Sequence, residues 1–202
     1  MGVRSCLAAV AAGLAVIVAA AAVGAKPLPA VTIFVTDYSE APHDAIIEAQ
    51  HVVAGLFGTA GVKSIWREET APPSVAGEPN RVAVLILSSA MADRKCAAED
   101  IPETVLGHAA PYPARRAWVF FERIRDAARL QERSVGRALG LVIAHEVAHM
   151  LGELAHAERG IMEQTLQAKG HLAEGFTPEQ GARIRSALEH PAGPVTLMTR
   201  RR

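Results

Sequence analysis

An α/β fold, a small mixed β-sheet with helices packed against it, follows from three features of the sequence. Short β-branched or apolar runs alternate with stretches of helical periodicity. One of the runs, "RVAVLILSS" at 81–89, is continuously apolar, as a strand buried on both faces requires. The chain has 202 residues, of which 50% are hydrophobic, enough for one domain of ordinary size with a sizeable core.

The elements are read in chain order. "VTIFVT" at 31–36 is β-branched and aromatic and is closed by Asp37, Tyr38 and Ser39, which makes it the first strand. From Pro42 to about Phe57, Ile46, Val53 and Leu56 recur near one helical face, and Gly58 and Gly61 end the segment. "VKSIWRE" at 62–68 is a short strand, and "ETAPPSVAGEPN" at 69–80 is a Pro- and Gly-rich loop. The buried strand at 81–89 follows. Residues 90–116 hold Pro102, Pro111 and Pro113 and read as a long excursion. "AWVFFERI" at 117–124 is a further strand, and a helix runs from about Ser134 to Leu151. Thr177 as N-cap, Pro178 in the first turn and Glu179 after it start a last helix, with Ile184 and Leu188 as its apolar face. The predicted order is β–α–β–β–loop–β–α–loop–α.

The first 25 residues stand apart. Arg4 precedes an apolar run from Cys6 to Val23, and Val23, Gly24 and Ala25 form a small-residue cleavage site, the pattern of an export signal. An uncleaved signal anchor is the alternative. The expected organisation is a signal peptide at 1–25, a single domain at 26–190 and a tail at 191–202, in a periplasmic or secreted protein. Removing 1–25 leaves Cys96 as the one cysteine, so no internal disulfide forms. Its polar, loop-like context "DRKCAAED" suggests a surface or half-buried thiol without a role. Lys+Arg and Asp+Glu balance at 21 each, which gives no basis for nucleic acid or an anionic membrane as partner.

The chemistry concentrates in "HEVAHMLGELAH", residues 145–156, inside an otherwise apolar helix. Polar side chains are costly to bury there unless something satisfies them. His145 and His149 stand one turn apart on one face and can share a Zn²⁺ ion, at about 2.0–2.1 Å from each nitrogen. Glu146 is turned by about 100° from His145 and is free to act as base on a zinc-bound water. Gly152 comes where the helix can end and the chain can turn back, His156 follows the turn, and Met162 follows in "ERGIM". Glu153, one turn beyond His149, and Glu174, 24 residues beyond it, are candidates for a further ligand. His108 and Tyr112 in "LGHAAPYP" are either cleft-rim groups able to polarise a carbonyl or plain loop residues. Asp37 and Tyr38 are candidate acceptors for an imidazole N–H. His43 and His51 fall on the first helix.

"HEVAHMLGELAH" followed by "GIM" resembles the metzincin zinc metalloproteases, whose signature is H-E-x-x-H-x-x-G-x-x-H with a later methionine turn. The short distance to Met162 is most similar to archaemetzincin-like members and to small exported bacterial proteins that share the "LGHA", "WVFFERI" and "GIM" patterns. The resemblance implies a zincin-like fold and a metallopeptidase acting on a peptide or protein substrate, expected as a monomer. It further implies His145, His149 and His156 as zinc ligands, Glu146 as general base and Met162 as the floor of the site. It also makes "AWVFFERI" the sheet edge along which substrate lies. The sequence departs from the pattern in two ways. Ala155 takes the place of the third histidine, with His156 one residue late, and the cysteines that give archaemetzincins a second zinc are missing. Two readings compete with a peptidase: an exported domain using the same histidines as a structural zinc staple, and a metal-free helix whose histidines are satisfied in the core.

Overall fold

The computed structural model describes residues 27–78, 80–111, 113–152, 154–163 and 175–190. The described elements run β1 (Ala30–Asp37), α1 (His43–Thr59), β2 (Lys63–Glu68), β3 (Arg81–Leu87), α2 (Ser89–Glu99), β4 (Gly107–Ala110), β5 (Arg116–Phe120), α3 (Phe121–Leu130), α4 (Val135–Gly152) and α5 (Pro178–Glu189). The five strands form one mixed sheet in the order β2-β1-β3-β5-β4. All neighbours are parallel except β4, which pairs antiparallel with β5 at one edge. The expected α/β class and mixed sheet are observed.

Strand alternation divides the core into two layers. On β3, Val82, Val84 and Ile86 turn to one face, where they meet Val31 and Ile33 of β1 and the buried sides of α1, α4 and α5. Ala83, Leu85 and Leu87 turn to the other, where Val75, Ala92, Cys96 and Phe120 complete a smaller cluster. β3 is thus buried on both faces, as its unbroken apolar run demands. The candidate site belongs to the larger layer, because α4 lies in it.

Two parts of the predicted order are corrected. Residues 90–116 are not a structureless excursion: they hold α2, closed by Asp100 in the left-handed region, and the strand β4. "AWVFFERI" is not one strand either. β5 ends at Phe120, and α3 starts at Phe121, burying Phe121, Ile124 and Ala128 along one helical stripe. Nor is β5 the sheet edge, since β3 and β4 flank it; β4 and β2 are the edges. The remaining boundaries agree with the sequence reading to within a few residues. The final helix carries the expected Thr177 cap as a full capping box with Gln180. The expected export signal and tail lie outside the described residues. No helix among the described residues is long and apolar enough to cross a membrane.

Candidate metal centre

α4 delivers three of the polar residues from inside the core. His145 and Glu146 are buried and His149 is partly so, while every other residue from Leu139 to Leu151 is buried. The helix ends at Gly152. Leu154 then turns back into the core at 4% exposure, and His156 stands exposed just beyond it. A tight loop follows. Ala157 N donates to Met162 O (2.8 Å), Glu163 N donates to Gly160 O (3.1 Å), and Gly160 has φ +80°, a conformation that glycine adopts without cost. Ile161 and Met162 anchor the loop with both side chains fully buried.

This loop and the end of α4 orient the imidazoles. His145 Nδ1 lies 2.7 Å from Ile161 O, and His149 Nδ1 lies 2.5 Å from Leu154 O. A carbonyl only accepts, so each Nδ1 carries the hydrogen and donates it. The two Nε2 atoms are then bare acceptors, and they face each other at 3.0 Å. Two lone pairs so opposed repel unless a cation satisfies both. Nitrogens bound tetrahedrally at about 2.0–2.1 Å from one Zn²⁺ ion would sit about 3.3 Å apart, close to that separation. His156 completes the cluster. Its ring centroid is 5.3 Å from that of His145 and 4.9 Å from that of His149, and one nitrogen of each of the three rings lies within 4.8 Å of the others. Among the described residues, the donor set therefore fits three nitrogen ligands on one zinc ion.

Burial favours the neutral, ligating form of His145 and His149. Burial pushes the pKa of His145 down to about 4, against the Ile161 carbonyl, which favours the charged form, and with a further push from His149 and His156. Burial also lowers His149, opposed by the Leu154 carbonyl and aided by His156 and His108. Glu146 goes the other way: desolvation alone raises its carboxyl to about 8. Its carboxyl lies against the backbone of Gly107 on β4, so closely that a Cβ built there would be 2.6 Å from Oε1.

The other sequence candidates divide. His108 is on the strand β4, not in a loop. Its ring stacks on Trp118 at 6.0 Å and its Nε2 approaches Glu99 at 3.7 Å, on the sheet face opposite Glu146. Asp37 accepts instead from Ser39 N and Ala41 N, so it closes a turn, and the acceptors behind the imidazoles are the carbonyls of Ile161 and Leu154. Cys96 is buried at 7% exposure on α2, where Arg123 Nη2 reaches its Sγ at 3.4 Å, a correction to the expectation of a surface or half-buried thiol in a loop. His43 and His51 are exposed on α1. Glu153, Glu174 and Tyr112 lie outside the described residues. Sequence reasoning missed Gly107 and the two carbonyls. Backbone acceptors carry no residue signature, and Gly107 sits in an apolar stretch that gave no sign of a strand.

No protein-family model matches the chain, and no curated protein matches it significantly.

Proposed function

We propose that the protein is a zinc-dependent metallopeptidase in which His145, His149 and His156 hold the metal and Glu146 is the general base. The observation that carries this reading is the pair of bare Nε2 atoms 3.0 Å apart, with a third imidazole beside them and a buried carboxyl on the same helix. Zinc bound there would supply a Lewis acid and lower the pKa of a coordinated water to about 7. A positive charge held by the three imidazoles favours the ionised form of Glu146 that burial alone disfavours. Glu146 then takes a proton from the attacking water and returns it to the leaving amine. A structural staple requires no such carboxyl and closes its fourth position with a protein ligand.

The substrate site follows from β4. Phe120 N donates to Leu106 O (2.9 Å), so Leu106 and Phe120 form a hydrogen-bonded pair, and antiparallel alternation makes His108–Trp118 the next. Gly107 and Ala109 therefore point their N–H and C=O groups away from β5, toward the edge on which no described strand lies. A peptide added there as a sixth strand would run past Glu146, against which Gly107 packs. Edge addition thus moves from "AWVFFERI" to β4. In this reading residues 1–25 export the chain and the substrate is a peptide or protein.

The test begins with zinc content of the purified chain beside His149→Ala. About one zinc per chain, lost in the variant, supports the metal centre; no zinc after reconstitution sinks it. Cleavage of a peptide library, with Glu146→Gln slowing it about 10²–10⁴-fold at unchanged zinc content, separates a peptidase from a non-catalytic zinc domain.

A further inference from the structure

We propose that Gly107 is a positioning residue: its missing side chain is the space in which the carboxyl of Glu146 is held. The backbone does not call for glycine here, because Gly107 is not among the residues with positive φ. The reason is space alone. A Cβ at this position would lie 2.6 Å from Glu146 Oε1, 2.8 Å from its Cγ and 2.9 Å from its Cδ, and these are its three nearest atoms. Real Cβ atoms essentially never come so close to another heavy atom. A side chain at 107 therefore meets the end of Glu146 before anything else. Glu146 cannot yield freely, because it is buried at 5% exposure between α4 and the sheet. Gly107 is also one of the two β4 residues whose N–H and C=O face the edge on which no described strand lies. The residue that makes room for the base thus also borders the path of an added strand, and the base sits under that strand with no intervening side chain from position 107.

The inference rests on the peptidase reading for its catalytic meaning, but its steric basis can be tested without substrate. Gly107→Ala is made in three backgrounds: wild type, Glu146→Gln, which keeps the shape of the side chain, and Glu146→Ala, which removes Cγ, Cδ and both oxygens. The expected result is a fall in Tm of about 3 °C or more from Gly107→Ala in the wild-type and Glu146→Gln backgrounds, with little or no fall in the Glu146→Ala background. Should Gly107→Ala fail to fold in the wild-type background, its recovery by Glu146→Ala gives the same answer. Equal Tm changes in all three backgrounds overturn the proposal, since the substitution would then act on something other than Glu146. In the zinc-loaded chain, Gly107→Ala should lower kcat about 100-fold with bound zinc unchanged and KM little altered, as a displaced base implies. Full kcat at full zinc overturns the positioning role. A wild-type chain that binds zinc but cleaves no peptide overturns the catalytic part together with the reading beneath it. The Tm comparison then still decides whether Gly107 holds Glu146 in place.

Discussion

The two halves of α4 both lie against the core and are opposite in character. From Val135 to Ala144 the helix presses on α1 through absent side chains: a Cβ on Gly136 would lie 2.7 Å from Ala45 O, and one on Gly140 would lie 2.7 Å from Val52 Cβ and 2.8 Å from Ala49 O. From His145 to Gly152 the same helix places two imidazoles and a carboxyl in the same core. The first half is stabilised by close packing and apolar burial. The second half bears the cost of desolvated polar groups, offset on the Nδ1 side by two carbonyls and left open on the Nε2 side. Burial therefore does not tell structure from function in this helix; what remains unsatisfied after burial does.

The largest effect should come from breaking the second half at a ligand. His149→Ala removes one of two facing nitrogens, so zinc affinity should drop by more than the roughly 10–100-fold seen when only a hydrogen-bond partner behind a ligand is lost. Competition with a chromophoric chelator measures it. Retention of near wild-type affinity would mean that the metal, if bound, sits elsewhere. The apo protein should keep its fold, because the first half of α4 is untouched.

The complementary cut is Gly140→Ala. The new methyl meets a backbone carbonyl and a β-branched side chain, neither of which moves without shifting α1 against α4. Overpacking of this kind costs about 1–3 kcal/mol, to be read as a lowered urea midpoint, while the folded fraction should still bind one zinc per chain. An unchanged midpoint would show that the two helices can separate slightly, and that the close approach is not a source of stability.

The halves also differ in how they respond to pH, and the zinc-free protein exposes this. Glu146 has a folded pKa of about 8 against an ordinary value of 4.5, so between these the folded state holds a proton that the unfolded state has lost, and stability falls as pH rises. His145, at about 4 against an ordinary 6.5, works in the opposite sense: its neutral form stabilises above 6.5, and that stability is lost as pH falls toward 4. His149 is displaced in the same direction as His145. The effects oppose each other between 4.5 and 6.5, and above 6.5 the carboxyl acts alone. Stability of the chelated wild type should therefore decline toward pH 8, by no more than about 1.4 kcal/mol per pH unit. Urea titrations of Glu146→Gln should be flat over the same interval; an equal decline in the variant would place the titrating group elsewhere.

How much of this was legible in the sequence depended on which interactions leave a residue pattern. β1, β3, α1, α4 and α5 were found because apolar spacing and capping residues report them directly. α2 was not, because only Ala92 and Cys96 of its eleven residues are buried, too few for a visible stripe. α3 was hidden by the apolar run "WVFF", which straddles the end of a strand and the start of a helix, although Phe121, Ile124 and Ala128 already carried the helical spacing. At the site, the i, i+4 histidines could be read from spacing and His156, one residue off the family pattern, from resemblance alone, and the structure brings these three together. The orienting carbonyls of Ile161 and Leu154 could not, since any residue supplies one. Gly107 could not either, because its meaning depends on which strand lies beside α4.

The smallest effect tests how the end of α4 is held from outside. The first turn of α5 is fixed by a reciprocal cap: Gln180 N donates to Thr177 Oγ1 (3.2 Å) and Thr177 N donates to Gln180 Oε1 (2.9 Å). The same Gln180 donates from Nε2 to Arg159 O (3.1 Å), and Ile161 N donates to Gly175 O (3.0 Å). α5 is thereby tied to the loop whose Ile161 carbonyl orients His145. Thr177→Ala should cost about 1 kcal/mol as a lost cap. If the tie reaches the site, zinc affinity should also weaken, by less than about 10-fold, because His145 keeps its ligand atom and loses only orientation. If stability falls while affinity stays constant, the burial of Ile161 and Met162 alone sets the carbonyl, and the second half of α4 owes its geometry to the core beneath it.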